Sequence, residues 1–139
     1  MYRSTQYVLL AGVLGLVLAL AGCSGSSGPA TTTVQQISDT QLQALMDGAA
    51  PLAVVDVRSE GEFEAGYIPG SINIPLSELS SRIDELDRNV PVVCVCASGY
   101  RSVEAAEMLA AAGFRNVMTL EGGIRNWTGD FEPDCPVCP

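Results

Sequence analysis

The chain has 139 residues, of which 47% are hydrophobic, and it carries 7 arginines against 16 acidic residues, with neither lysine nor histidine. The absence of histidine excludes a Ser-His-Asp triad, a Cys-His dyad and a His-ligated zinc site. A net charge of -9 argues against nucleic acid as a partner, because the phosphate backbone would be repelled. The length and the apolar content allow one domain with a buried core.

The first residues of the chain resemble the signal peptide of a bacterial lipoprotein. Arg3 precedes an apolar run over residues 8–22, whose strongly apolar part is shorter than the ~20 residues of a membrane-spanning helix. Residues 20–23 read Leu-Ala-Gly-Cys, similar to the lipobox at which lipoproteins are lipidated and cleaved. Residues 1–22 are therefore the expected signal peptide and Cys23 is the expected lipidation site, with an uncleaved anchor as the alternative.

Residues 23–33 are rich in Gly, Ser, Thr and Pro, the composition of a flexible tether. With a lipid on Cys23, the domain beyond the tether is expected outside the cytoplasm, on the periplasmic or extracellular side. The anchoring membrane is expected to be either the cell membrane or the outer membrane. The membrane is thus an expected partner, through the lipid anchor.

Beyond the tether, short apolar runs alternate with segments of helical period, a pattern typical of βαβ units around a parallel sheet. Strands are predicted over residues 33–37, 53–57, 71–74, 90–96 and 116–120. Helices are predicted over residues 39–46, 59–65, 76–86, 101–112 and 124–127. Ser38 and Gln41 form a capping box at the first helix. The period of the fourth helix predicts an inner face of Val103, Ala106, Leu109 and Ala110.

Cys96 lies at the carboxyl end of the most apolar predicted strand, where ligands bind in open α/β sheets. A short loop follows it, and then a predicted helix whose amino end carries partial positive charge. The loop amides and Arg101 favour the thiolate over the thiol, so the cysteine can act as a nucleophile without a histidine base. Cys94, two residues earlier, is expected to fill the core on the same side of the strand.

Four segments, in order, resemble a single rhodanese domain over about residues 34–130. They are Asp56-Val57-Arg58; Glu62-Phe63 leading to Gly66-Tyr67-Ile68-Pro69-Gly70-Ser71-Ile72-Asn73-Ile74-Pro75; Cys96-Ala97-Ser98-Gly99-Tyr100-Arg101-Ser102; and Glu121-Gly122-Gly123 with Trp127. The resemblance implies a rhodanese-like α/β fold, with a central parallel sheet of about five strands flanked by helices on both faces. It also implies a sulfurtransferase that moves a sulfane sulfur from a small donor, such as thiosulfate, to a thiol acceptor, without a cofactor or a metal.

The same resemblance implies a role for each residue of the loop. Cys96 is the nucleophile and persulfide carrier, and Arg101 orients the anionic donor. The outer sulfur is cradled by the amides of Ala97, Ser98, Gly99, Tyr100 and Arg101, and Ser102 adds a hydroxyl hydrogen bond. The loop has six residues from Cys96 to Arg101, the sulfurtransferase length, whereas related phosphatases have a longer loop.

Two further residues of the family pattern, Asp56 and Arg58, are expected to support the loop from behind. Asp56 is predicted to cap backbone groups and Arg58 to pair with Glu62, although Arg58 facing the donor is an alternative. Tyr67 stands where the family usually has histidine, and Trp127 is expected in the core. A catalytically idle rhodanese-like module, which binds a partner or presents a redox thiol, is the alternative to the enzyme.

Residues 131–139 lie past the last of these segments and include Cys135 and Cys138. The Cys-x-x-Cys spacing permits a disulfide, a redox dithiol or a pair of metal ligands, but no second pair with suitable spacing completes a zinc site. In an exported domain a closed Cys135–Cys138 disulfide is the expected state. The alternative is a reduced pair that accepts the outer sulfur of Cys96 or resolves an oxidised Cys96.

Overall fold

Strands and helices alternate along residues 34–133, which are the residues that the computed structural model describes. The strands are β1 (Gln35–Ile37), β2 (Ala53–Asp56), β3 (Ile72–Asn73), β4 (Val92–Val95) and β5 (Val117–Leu120). The helices are α1 (Asp39–Asp47), α2 (Glu60–Glu64), α3 (Leu79–Arg82) and α4 (Tyr100–Ala111), and 3₁₀ helices cover Ile83–Glu85 and Gly123–Asn126. No helix within these residues has the length and hydropathy to span a membrane. The predicted signal peptide, Cys23, Cys135 and Cys138 lie outside them.

The five strands form one sheet in the order β1-β5-β4-β2-β3, and every neighbouring pair is parallel. Strand β4 comes from the most apolar run of the sequence and lies at the centre, with all four side chains buried. Parallel strands need crossover connections, and the helices that provide them flank the sheet. The predicted α/β fold with a central parallel sheet of five strands is confirmed.

Alternating side chains of β4 enter two separate apolar clusters, as expected when both faces of a strand are covered. Val92 and Cys94 lie in the cluster that also contains Cys96 and the inner face of α4. Val93 and Val95 lie in the other cluster with Trp127, which is 7% exposed. The core positions predicted for Cys94 and Trp127 are confirmed, and Cys96 is anchored from the same core as α4.

The predicted element limits differ most from the structure in two places, and elsewhere by one or two residues at an end. The strand predicted over residues 90–96 is shorter, because Pro91 has no N–H and the carbonyl of Cys96 accepts its hydrogen bond from Ile124 instead of a neighbouring strand. The helix predicted over residues 76–86 is reduced to α3 and a 3₁₀ turn, since Glu78 at its start provides no side-chain cap. The capping box of Ser38 and Gln41 is confirmed at α1.

The inner face of α4 is rotated from the predicted one. Its buried side chains are Ser102, Ala105, Ala106 and Leu109. Val103 and Ala110 are only half-buried, so their predicted place on the inner face is wrong. The buried stripe follows the spacing i, i+3, i+4, i+7 but begins with a serine, and hydrophobicity alone therefore assigns the wrong phase.

Candidate active site

Cys96 directly follows β4 at the carboxyl edge of the sheet, and it is only 1% exposed. Its Sγ accepts hydrogen bonds from the backbone N–H groups of Gly99, at 3.1 Å, and Ser102, at 3.4 Å. The thiol also lies 3.6 Å from the hydroxyl oxygen of Ser102, to which it donates. The loop and the first turn of α4 thus curl around the sulfur atom.

The tight turn after Cys96 depends on Gly99. Its φ of +95° lies in the left-handed region, which residues with a Cβ rarely adopt. Gly99 is the residue before the first turn of α4, and the hydroxyl of Ser102 donates to its carbonyl at 2.9 Å. This conformation directs the N–H of Gly99 back to the sulfur and starts the helix one residue later.

The 3₁₀ helix at Gly123–Asn126 supports the loop through backbone hydrogen bonds. The N–H of Ile124 donates to the carbonyl of Cys96 at 2.7 Å, and the N–H of Arg125 donates to the carbonyl of Ala97 at 3.4 Å. Gly123 has a φ of +66°, and a Cβ at this position would collide with the carbonyl oxygen of Cys96. A glycine is therefore required at position 123, because its backbone lies against the backbone of the loop.

The two cysteines at the end of β4 differ in acidity. Burial raises the pKa of the Cys96 thiol, but the hydrogen bond with the Ser102 side chain and those from the amides of Ser102, Ser98 and Gly99 bring the pKa below its usual value of 9.0. Burial and the nearby Cys96 raise the pKa of Cys94 to about 12. Cys96 is therefore the more acidic thiol of this pair, and Cys94 stays protonated.

Arg101, at the first turn of α4, is held by a carboxylate on α2. Its Nη1 donates to Oε2 of Glu62 at 2.9 Å and its Nη2 donates to Oε1 at 2.8 Å. The hydrogen bonds that Arg101 donates to Glu62 raise the pKa of Arg101, and the nearby Cys96 and Asp56 add to this effect. Arg101, the cation predicted beside the thiol, is thus present there, but it is paired with the carboxylate of Glu62.

The predicted pair between Arg58 and Glu62 is wrong. Arg58 is 3% exposed and donates from Nε and Nη2 to the carboxylate of Asp56, with a shortest distance of 2.7 Å. It also donates to the carbonyl of Gly66 at 2.7 Å. Its guanidinium is thus enclosed by protein groups and does not face a sulfur donor. Asp56, two residues away at the end of β2, satisfies this buried charge, whereas Glu62 faces Arg101.

The family model for the rhodanese-like domain matches residues 38–130, well over half of the chain. The chain belongs to the rhodanese-like family. The thiosulfate sulfurtransferase GlpE of Pseudomonas syringae pv. syringae (strain B728a) is 36% identical over 96 residues, which are 69% of this chain and 89% of that protein. A crystal structure of a rhodanese-like domain protein from Staphylococcus aureus matches with a TM-score of 0.64 and 31% identity, and the match covers 68% of this chain and 91% of that one.

Two relatives from Bacillus subtilis (strain 168) are longer than the rhodanese-like domain itself. YrkF is 36% identical over 101 residues and YqhL is 41% identical over 79 residues, and the match covers 55% and 63% of their respective lengths. Relatives named sulfurtransferases are 31% and 36% identical to this chain. They support a general role of this rhodanese-like domain in sulfur transfer.

The remaining predicted loop residues of the rhodanese-like domain form its solvent rim. Tyr100 is 85% exposed and Ser98 is also exposed, while Ala97 is half-buried. No group of three potential metal ligands occurs within the described part of the chain.

Sequence reasoning missed Glu62 as the partner of Arg101. The Ser59-x-x-Glu62 capping spacing is a local signal that fixes this carboxylate, but it does not indicate the distant arginine.

Proposed function

We propose that this chain is a rhodanese-type sulfurtransferase that carries the transferred sulfur as a persulfide on Cys96. The observation that carries the proposal is the buried Sγ of Cys96, bonded by two backbone amides and with a lowered pKa, at the carboxyl edge of the sheet. A thiolate stabilised in this way attacks without a general base. The relatives named thiosulfate sulfurtransferases support thiosulfate as one donor.

The reaction proceeds in two displacement steps. The thiolate of Cys96 attacks the outer sulfur of thiosulfate, the sulfur–sulfur bond of the donor breaks, and sulfite leaves with the electron pair. The product is the persulfide Cys96–S–S⁻. In the second step the thiolate of a small acceptor attacks the outer sulfur, which transfers that sulfur to the acceptor and restores the thiolate of Cys96.

The loop supplies the electrostatics of both steps. The amides of residues 97–101 hold the charged outer sulfur of the persulfide, and the amide of Ser102 stays with the inner sulfur. Arg101 uses two of its five N–H groups on Glu62, and the others are available to a donor oxygen. Asp56 and Arg58 act from behind, as a buried ion pair that fixes the end of β2.

A multiple-turnover assay tests the proposed activity. The domain is incubated with thiosulfate and a small thiol, and released sulfite is measured against a protein-free control. A sulfurtransferase releases sulfite continuously, in many equivalents per protein. An idle rhodanese-like module, the competing function, releases sulfite at the protein-free rate, and that result would contradict the proposal. The intact nucleophile, its lowered pKa and the six-residue loop favour the enzyme.

We propose that this enzyme lies outside the cytoplasm, anchored by a lipid on Cys23 to the cell membrane or the outer membrane. We expect Cys23→Ala to block lipidation and processing, because the thiol is the acceptor of the lipid. The variant then stays as an uncleaved precursor or is lost, which intact-mass and membrane-fractionation measurements detect. Wild-type protein that fractionates with membranes without a lipid at its amino terminus would contradict this location.

The tail cysteines Cys135 and Cys138 follow a segment that is held to the domain, since Glu132 and Tyr67 exchange backbone hydrogen bonds of 2.7 and 2.8 Å. We expect these cysteines to be closed as a disulfide in the exported protein. The double variant Cys135→Ser with Cys138→Ser should then discharge the Cys96 persulfide at the wild-type rate in a single-turnover assay under reducing conditions. Slower discharge by the variant would show instead that the reduced tail accepts the sulfur.

A further inference from the structure

The guanidinium of Arg101 forms an ion pair with the carboxylate of Glu62 at the edge of the proposed site. The two parallel hydrogen bonds to Glu62, of 2.8 and 2.9 Å, are the bidentate geometry in which arginine binds a carboxylate most strongly. The two side chains are 39% and 40% exposed, so a small solute reaches both of them. An anion that approaches Arg101 therefore meets a pair with no net charge.

The carboxylate of Glu62 is fixed independently of Arg101. It accepts hydrogen bonds from the N–H of Ser59 at 3.1 Å and from the hydroxyl of Ser59 at 2.9 Å, as the third residue of α2 in a capping box. The hydrogen bonds from Arg101 and Ser59 lower the pKa of Glu62 to about 2, so it is ionised at neutral pH. Glu62 thus keeps its position and its negative charge when a sulfur donor binds.

Arg101 also lines a groove of about 570 Å³. Its walls are largely apolar or hydroxyl-bearing: Val57, Ser59, Pro75, Leu76, Ser77, Ser80 and Met108. Its charged lining residues are Arg101 and Glu104, which are three positions apart on α4 and so lie on the same side of the helix. Together with Glu62, the surroundings of Arg101 carry one positive and two negative charges.

We propose that Glu62 is a specificity-determining residue, which neutralises Arg101 and so disfavours doubly charged sulfur donors relative to donors of lower charge. This inference rests on the proposed persulfide chemistry of Cys96 and deepens it. The favoured donors are sulfane-sulfur compounds with at most one negative charge at the reacting end, such as an organic thiosulfonate. With such a donor, Cys96 takes the outer sulfur and the leaving group is a sulfinate, which departs with the electron pair.

Two donors that differ by one charge test the inference. Thiosulfate is a dianion and methanethiosulfonate a monoanion, and kcat/KM is measured for persulfide formation with each. We expect Glu62→Gln to raise the ratio of kcat/KM for thiosulfate to that for methanethiosulfonate by roughly threefold to fivefold, the effect of one charge near an exposed anion. High salt should reduce this gain.

The variants are chosen to separate charge from structure. Glutamine retains the capping box with Ser59, so Glu62→Gln keeps α2 intact. Glu64→Gln removes the same charge from an exposed position of the same helix and should leave the ratio within twofold of wild type. Glu104→Gln, at the exposed wall of the groove, should shift the ratio in the same direction as Glu62→Gln.

An unchanged ratio in Glu62→Gln would overturn the inference, whether kcat/KM stays the same for both donors or falls equally for both. The latter result would make Glu62 a structural brace of the loop. Mass measurement of Cys96 after incubation with each donor accompanies the kinetics. If neither donor adds sulfur to wild-type Cys96, the proposed function fails together with this inference, whereas persulfide formation with an unchanged ratio overturns the specificity role alone.

Discussion

The variant Cys96→Ser is expected to lose persulfide formation and sulfur transfer, by at least about a thousandfold, while the domain stays folded. Serine is nearly isosteric with cysteine and can keep the contacts with Gly99 and Ser102. Its hydroxyl stays protonated in the same ring of amides, so no nucleophile forms. Sulfite release from thiosulfate measures the activity, and cooperative thermal unfolding with a wild-type circular dichroism spectrum reports the fold.

The matched control for this variant is Cys94→Ala. Cys94 lies two residues earlier on the same buried face, and its raised pKa of about 12 leaves it protonated. Alanine removes the thiol without burying a polar group, so persulfide formation on Cys96 should persist even where the domain is less stable. Transfer that survives Cys96→Ser, or that disappears in folded Cys94→Ala, would contradict the assignment of Cys96 as the nucleophile.

Loss of the guanidinium in Arg101→Ala is expected to lower kcat/KM for thiosulfate by roughly a hundredfold. The side chain ties the loop to α2 through Glu62 and offers its remaining N–H groups to the donor. Arg101→Lys should recover only part of this loss, because an ammonium restores the charge but not the planar pair of hydrogen bonds. Steady-state kinetics with thiosulfate compares the three proteins.

Arg115→Ala is the control for the loss of one positive charge, because Arg115 is exposed just before β5, at the amino edge of the parallel sheet, away from Cys96. We expect this control to retain wild-type kinetics. Equal kcat/KM in wild type, Arg101→Ala and Arg101→Lys would reduce Arg101 to an ordinary residue of α4. A loss in Arg115→Ala as large as that in Arg101→Ala would attribute the effect to net charge alone.

Local patterns in the sequence were sufficient to predict most of the fold. The capping spacing of Ser38 and Gln41 and the apolar run at β4 act through neighbours in the chain; the capping box is found as predicted, and β4 occupies the middle of the predicted run. The position of Cys96 follows from the rule that parallel strands end at one edge, where a loop and a helix begin. These features need no knowledge of distant contacts.

The partners of the arginines could not be derived in the same way. Arg101 and Glu62 are 39 positions apart, and they meet only because α2 follows β2 and α4 follows β4 at the same edge of the parallel sheet. Arg58 was predicted to pair with Glu62, whereas the acidic residue that shares its burial, Asp56, is the actual partner. The inner face of α4 was misplaced for a related reason, since the hydroxyl of buried Ser102 is satisfied by Gly99.

Mass spectrometry of the purified domain after incubation with thiosulfate tests the central claim most directly. Peptide mapping under non-reducing conditions resolves which cysteine is modified. The proposed mechanism predicts a gain of one sulfur atom on Cys96, absent from Cys94, that is lost again when a small thiol is added. An unmodified Cys96 after incubation with both thiosulfate and a singly charged thiosulfonate would contradict it.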